Sequence, residues 1–267
     1  MTEFKTRLFN VPKPVIGVIH LAPLPGAPLY DGNLKEIYER ALREADIYHQ
    51  AGVHGIIVEN FGDSPFYPDS VPVETTAAMS AVVRDVVSHC PLPIGVNVLR
   101  SDAQAAMAIA TATGAAFIRV NVHMGAMVTD QGLIQGQAHL TLRLKEQLRS
   151  KVRVLADVAV KHAAPLAPRP IELEILDHAE RGGVDGIIVT GDRTGSAVST
   201  EFLEMASAHS TRPVLVGSGA TPETLPSLYP FANGFIVGSY FKHGGDPLKT
   251  VNPDHVREFM SAWQQLQ

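Results

Sequence analysis

Four segments of this chain repeat one pattern: AGVHGIIVEN (51–60), TGAAFIRVNV (113–122), GGVDGIIVTG (182–191) and FANGFIVGSY (231–240). Each closes a helix-like stretch, turns on small residues and runs into a short apolar, β-branched strand. A second set lies between them: PVIGVIH (14–20), PIGVNVLR (93–100), KVRVLADV (151–158) and PVLVGSG (213–219). Three of these open on proline (Pro14, Pro93, Pro213), which suits a strand start because its missing N–H is not needed there. Interleaved, the two sets give about eight strands separated by helical patterns, the signature of an α/β fold of the (β/α)8 TIM-barrel type. The chain's 267 residues match the length of one such barrel, and no linker or composition shift divides it. Residues 1–267 are therefore expected to form a single domain, with strand one near 15–20 and strand eight near 234–240. In such barrels the active site lies at the C-terminal ends of the strands, so the polar residues closing each apolar run are the candidates.

Composition narrows the function classes. Hydrophobic residues make up 45% and charged residues 18%, which predicts a large core and argues against disorder. A formal charge of −5 leaves no basic footprint for nucleic acid and disfavours electrostatic adhesion to an anionic membrane. The single cysteine, Cys90, excludes an internal disulfide and favours a reducing, cytoplasmic setting. Two uncharged stretches resemble membrane spans, but 14–30 is broken by Pro23, Pro25 and Pro28, and 103–118 crosses a glycine turn. Neither reaches the roughly 20 apolar residues a spanning helix needs, and the N-terminus lacks a secretory core. The sequence reads as a soluble protein.

Helices are expected over 34–50, 73–89, 102–112, about 170–181, 199–209 and 253–265. Asn33 is expected to cap the first, whose Leu34, Ile37, Tyr38, Ala41, Ala45 and Tyr48 share a face, and Ser101 to cap the third. The segment MGAMVTDQGLIQGQ (124–137) reads as a lid or as a passive surface loop.

The strongest chemical motif pairs GSGA (217–220), after strand seven, with VGSYFK (237–242) at strand eight. Ser218, Gly219 and Ala220 can present backbone N–H groups, and Thr221-Pro222-Glu223 reads as a helix start aimed at the same space. Gly238 and Ser239 would form the opposite wall, with Lys242 adding positive charge. This is where many (β/α)8 enzymes hold a phosphate. The alternative is that the glycines serve only tight turns.

The other strand ends form a polar ring. His20 ends strand one, Glu59 and Asn60 strand two, and Asn97 and Arg100 lie late in strand three. Arg119, Asn121 and His123 alternate along strand four and so are expected on one side. Asp157, Lys161 and His162 follow strand five, with Thr190 and Asp192 near the end of strand six. Glu59 and Asp157 are the candidate general acid or base, with Arg119 and Lys161 as their catalytic partners. Lys161 and Lys242 are oxyanion stabilisers by charge, and a desolvated Lys161 is a Schiff-base candidate. His20, Asn60, Asn97, Arg100, Asn121, His123, His162 and Thr190 are candidate substrate contacts. Each also has a plainer reading: His20 and His123 as ordinary hydrogen-bonded histidines, Arg119 with Asp157 or Glu59 as a structural ion pair, Lys161 as a solvated loop lysine. No HExxH, cysteine cluster, EF-hand loop, Walker loop or Gly-x-Ser-x-Gly elbow is present. No cofactor is assigned, and Mg²⁺ on Glu59, Asp157 and substrate oxygens is left open.

Long blocks of the chain carry a family resemblance: HLAPLPG (20–26), HGIIVENFGDSPF (54–66), GVNVLRSD (95–102), FIRVNVHMGAMVTDQGLIQG (117–136), LADVAVKHAAPL (155–166) and VGSGAT (216–221). Together they resemble the BtpA/SgcQ family, with His54 where the family pattern has Asp. The resemblance implies a (β/α)8 fold. It also implies two kinds of role: photosystem I biogenesis by a protein peripheral to the thylakoid membrane, in a photosynthetic source, and a link to carbohydrate metabolism. It names no reaction. The expected function is an enzyme (lyase, isomerase or hydrolase) on a small phosphorylated, sugar- or nucleotide-like metabolite. The alternative is a non-catalytic factor for photosystem I biogenesis that docks to assembly partners. Homo-oligomerisation is left open by the sequence.

Overall fold

The computed structural model describes residues 8–158, 160, 162–191 and 198–267. Along the chain run β1 (Val15–His20), α1 (Leu34–Gln50), β2 (Gly55–Glu59), α2 (Val73–His89), β3 (Ile94–Asn97), α3 (Ala103–Thr113) and β4 (Phe117–Val120). A hairpin follows, β5 (Ala126–Thr129) and β6 (Gly132–Gln135), then α4 (Ala138–Gln147), β7 (Arg153–Val158), β8 (Ala163–Pro165) and α5 (Ile171–Glu180). The chain ends with β9 (Gly186–Val189), α6 (Thr200–His209), β10 (Val214–Val216), α7 (Leu225–Leu228), β11 (Phe235–Val237) and α8 (Pro253–Gln264). Eight strands pair in parallel and close in the order β1-β11-β10-β9-β7-β4-β3-β2, the expected TIM barrel. The remaining three, β6-β5-β8, form a separate antiparallel sheet.

Local chemistry explains the element ends. Asn33 caps α1 by accepting the Glu36 N–H at 3.2 Å, as expected, and Asn252 caps α8 ahead of Pro253. Gly114 ends α3 at φ +85°, a left-handed conformation that costs glycine little. The expected cap at Ser101 is corrected: Asp102 caps α3, accepting from the Ala105 N–H at 2.8 Å, while the Ser101 hydroxyl bonds the backbone of Val122. The helix expected to start at Thr221-Pro222-Glu223 is also corrected. Thr221 and Thr224 close a turn on each other there, and α7 begins only at Leu225 and lasts one turn.

Two apolar layers hold the barrel. The outer layer lies between strands and helices and includes Val58, Val96, Val154, Ile187 and Val216 with Met79, Val83, Met107 and Phe259. The inner layer is Ile16, Val18, Ile57, Phe117, Leu155, Ile188, Leu215 and Ile236, joined by Phe9 from the N-terminal segment, whose ring meets Phe117 edge-on at 5.7 Å. Gly95 makes room for that plug, since a Cβ there would lie 2.2 Å from the Phe117 ring. Because side chains alternate along a strand, the inward position two residues beyond the last of these on six strands is polar or glycine: Val18 to His20, Ile57 to Glu59, Phe117 to Arg119, Leu155 to Asp157, Leu215 to Gly217, Ile236 to Gly238. The interior thus changes from apolar to polar at one level, near the C-terminal ends of the strands. Among the described residues no helix is long and apolar enough to cross a membrane.

Candidate functional site

Above that level opens a cavity of about 610 Å³. Its walls include His20, Glu59, Arg100, Arg119, Asn121, Asp157 and His162, with Ser218, Gly219, Ala220, Gly238 and Ser239 on the β10–β11 side. Asp130 and Gln131, at the tip of the β5–β6 hairpin, also line it.

On one side stands Glu59, 6% exposed. Its Oε2 accepts from Asn97 Nδ2 at 2.5 Å, and its Oε1 lies 3.7 Å from His20 Nε2. The His20 Nδ1–H donates to the Pro247 carbonyl at 2.9 Å; a carbonyl can only accept, so Nε2 is the nitrogen turned to Glu59. On the other side Arg119 grips Asp157 with two parallel bonds, Nε to Oδ1 and Nη2 to Oδ2, both 3.0 Å, and Asn121 Nδ2 adds a third at 2.8 Å. Burial pulls the Arg119 guanidinium pKa down, but the Asp157 charge and its hydrogen bonds outweigh that and raise it, so Arg119 is a permanent cation. Burial lowers the pKa of Arg100 from its ordinary value, opposed by Asp157, Asp130 and Glu59.

Glycines shape the third wall. A Cβ at Gly217 would lie 2.4 Å from Ile188 Cγ2 and 3.3 Å from Arg119 Nη2, so the chain passes Arg119 closely only without a side chain. Gly219 turns at φ +73°, and among the described residues no hydrogen bond takes up its N–H or that of Ala220. A Cβ at Gly238 would sit 3.2 Å from His20 Cε1.

The other expected site residues fall into three groups. Lys242 does not reach the phosphate loops and is corrected: fully buried, it donates to Glu44 Oε2 at 2.7 Å, and Glu44 also takes Arg40 at 3.0 Å. Burial lowers the Lys242 pKa against the pull of Glu44. Desolvating the ion pair favours its mutual contact over any in the cavity. His123 is likewise corrected. It lies beyond the end of β4, fully buried, with Nε2–H donating to the Gly182 carbonyl at 2.7 Å, and burial pushes its pKa down to about 4. Asn60, Asn97 and Thr190 sit behind the lining; Asn60 ties Asp63 to the Leu99 N–H, at 3.0 and 2.7 Å. Lys161 and Asp192 lie outside the described residues.

The sequence reading missed Phe61, Phe66, Asp130, Gln131 and Tyr240, all of which line the cavity. They sit on loops and single 3-10 turns, where periodicity carries no signal. The motif FGDSPF was visible, but only its place beside β1 shows that its two rings face the cavity.

The model of the BtpA family matches residues 11–265. The chain belongs to the BtpA family. Within that family's reach it is 46% identical, over 98% of its length and 91% of the relative's, to the photosystem I biogenesis protein BtpA of Synechocystis. An uncharacterised Pyrococcus abyssi protein is 45% identical over 90% of this chain and 92% of its own. A mitochondrial protein of Caenorhabditis elegans is 32% identical over 96% and 95%. Among solved structures, phosphoribosyl anthranilate isomerase from Thermus thermophilus superposes on this BtpA-family chain with TM-score 0.58 at 11% identity, covering 95% of this chain and all of that one. A native KDPGal structure gives 0.59 at 13%, covering 97% and 98%. At such identities the likeness is one of fold.

Proposed function

We propose that this BtpA-family protein is an enzyme that binds a small phosphorylated metabolite in the barrel cavity, with Glu59 and His20 moving the proton. One conjunction supports this reading: a buried carboxylate and imidazole 3.7 Å apart open into the same cavity as the Gly219 and Ala220 amides. The amides suit an anion, and the loops after barrel strands seven and eight are a common place for phosphate in this fold. Asn97 fixes Glu59, and the Pro247 carbonyl fixes the tautomer of His20. In the proposed step Glu59 takes a proton from the substrate, and His20 Nε2 relays it or returns it.

Asp157 has another part. Its two oxygens already accept three bonds from Arg119 and Asn121, so it positions Arg119 as the cation for developing negative charge. Among the described residues no group of three or more His, Cys, Asp or Glu side chains gathers for a metal. A second reading, a non-catalytic photosystem I biogenesis factor, draws on the name of the Synechocystis relative.

Thermal-shift screening against phosphorylated sugars and nucleotides tests the proposal. A ligand at 100 times its Kd stabilises the fold by roughly 2.7 kcal/mol, and Ser218→Asp is expected to abolish that shift. A ligand whose shift survives Ser218→Asp would place binding elsewhere. No stabilisation by any phosphorylated compound would favour the biogenesis reading.

A further inference from the structure

We infer that the cavity holds a second subsite, for a planar ring, and that its substrate is a phosphate ester carrying an aromatic or heteroaromatic group rather than a bare sugar phosphate. The inference rests on the phosphate reading above and assigns the rest of the cavity. Phe61 and Phe66, both on the loop after β2, line the cavity with ring centroids 6.4 Å apart and planes inclined at 60°. Both remain half-buried on the wall of a cavity that Glu59, Arg100, Arg119 and Asp157 line together with the apolar Val18, Leu99, Val160 and Val237. Sugar hydroxyls would gain little there. A flat ring would cover the phenyl faces and take up the offset or edge-on geometry that aromatic groups favour.

Spacing ties this wall to the anion site. The His20 ring lies 4.7 Å from Phe61 on one side and against Gly238 on the other, where an added Cβ would be 3.2 Å from Cε1. His20 thus touches both the aromatic wall and the β11 wall. A ligand reaching from the Gly219 and Ala220 amides to Phe61 and Phe66 passes its middle over His20 and Glu59. Asn121 adds a polar demand on that middle. It is 5% exposed and lines the cavity, and its Oδ1 is shut off from solvent without a hydrogen-bond partner among the described residues. That oxygen can only accept, so a hydroxyl or N–H of a ligand that displaced the side chain slightly would satisfy it. The volume of about 610 Å³ lies well inside the range of pockets that enclose ligands of this size.

Isothermal titration of the full chain with the four ribonucleoside 5′-monophosphates, their four nucleosides and ribose 5-phosphate tests the inference. At least one nucleotide is expected to bind about ten-fold tighter than ribose 5-phosphate. Phe66→Leu should remove most of that advantage and leave ribose 5-phosphate unchanged, while Phe66→Trp should keep it. If ribose 5-phosphate binds as tightly as every nucleotide, or Phe66→Leu weakens both equally, the ring subsite is wrong and the phosphate reading stands. If a nucleoside binds but no phosphorylated compound does, the phosphate reading fails and the ring subsite stands. Binding by none of the nine compounds overturns both.

Discussion

Replacing Asp157 by leucine leaves the Arg119 guanidinium, 7% exposed, without its bidentate partner and strips Asn121 Nδ2 of its acceptor. Breaking a buried pair from one side costs about 3–5 kcal/mol, because an uncompensated charge stays in a low-dielectric site. At about 2–4 °C per kcal/mol for a chain of this size, the midpoint of thermal unfolding should fall by roughly 6–20 °C. Arg119→Met leaves the opposite charge and should cost a similar amount. The double variant removes both charges together, and an apolar pair of similar volume is often neutral or stabilising. It should therefore be more stable than either single variant, while no longer binding a phosphorylated ligand. Urea unfolding of the four proteins measures the coupling directly. Additive losses, with the double variant the least stable of the four, would refute the argument that the two charges are held for each other.

Four further outcomes follow from the geometry. Glu59→Gln keeps the shape and the Asn97 neighbourhood but removes the base, so turnover of any substrate found should drop by 10²-fold or more with binding retained, as read by single-turnover kinetics. Lys242→Met strands Glu44 beside Arg40 alone; it should lower the unfolding midpoint and leave phosphate-ligand affinity unchanged by titration, whereas a loss of affinity would restore Lys242 to the site. His123 is buried with its pKa near 4, below the ordinary value of 6.5, so the unfolded chain binds a proton first as pH falls. Stability should be full above pH 6.5 and decline toward pH 4, by roughly 3 kcal/mol from this group, with buried His178 acting in the same direction. His123→Phe should flatten that decline in pH-dependent urea melts. Gly217→Ala should destabilise the fold and displace Arg119, because its Cβ would meet Ile188 at 2.4 Å, as a loss of both unfolding midpoint and ligand shift would report.

The barrel and much of its polar ring were legible because both rest on periodicity. Arg119 and Asp157 stood out as charges at inward positions of apolar strands, and a buried charge needs a partner. Their pairing across β4 and β7 follows from strands that are neighbours in the sheet. Lys242 misled for the opposite reason. Its partner Glu44 sits 198 positions away on α1, and an acid on a helix with many charges reads as solvated. His123 obeyed the period-two rule but lies past the last residue of β4, where alternation no longer fixes direction. Of the three-stranded sheet β6-β5-β8, β5 and β6 lie in the stretch read as lid or loop and β8 lies beyond it; these strands mix exposed and polar positions instead of forming the continuous apolar runs that mark the barrel strands. Phe61 and Phe66 reach the cavity through loop packing: Gly62 passes so close to the backbone of Ala22 and Pro23 that a Cβ there would lie 2.6 Å from the Pro23 nitrogen. Only folding brings those two loops together.

The most direct test of the central claim is a crystal structure of the protein soaked with ribose 5-phosphate. The account predicts the phosphate oxygens within hydrogen-bond reach of the Gly219 and Ala220 amides, with the sugar over His20 and Glu59. A phosphate bound away from the β10 and β11 loops, or an empty cavity at saturating ligand, would contradict it.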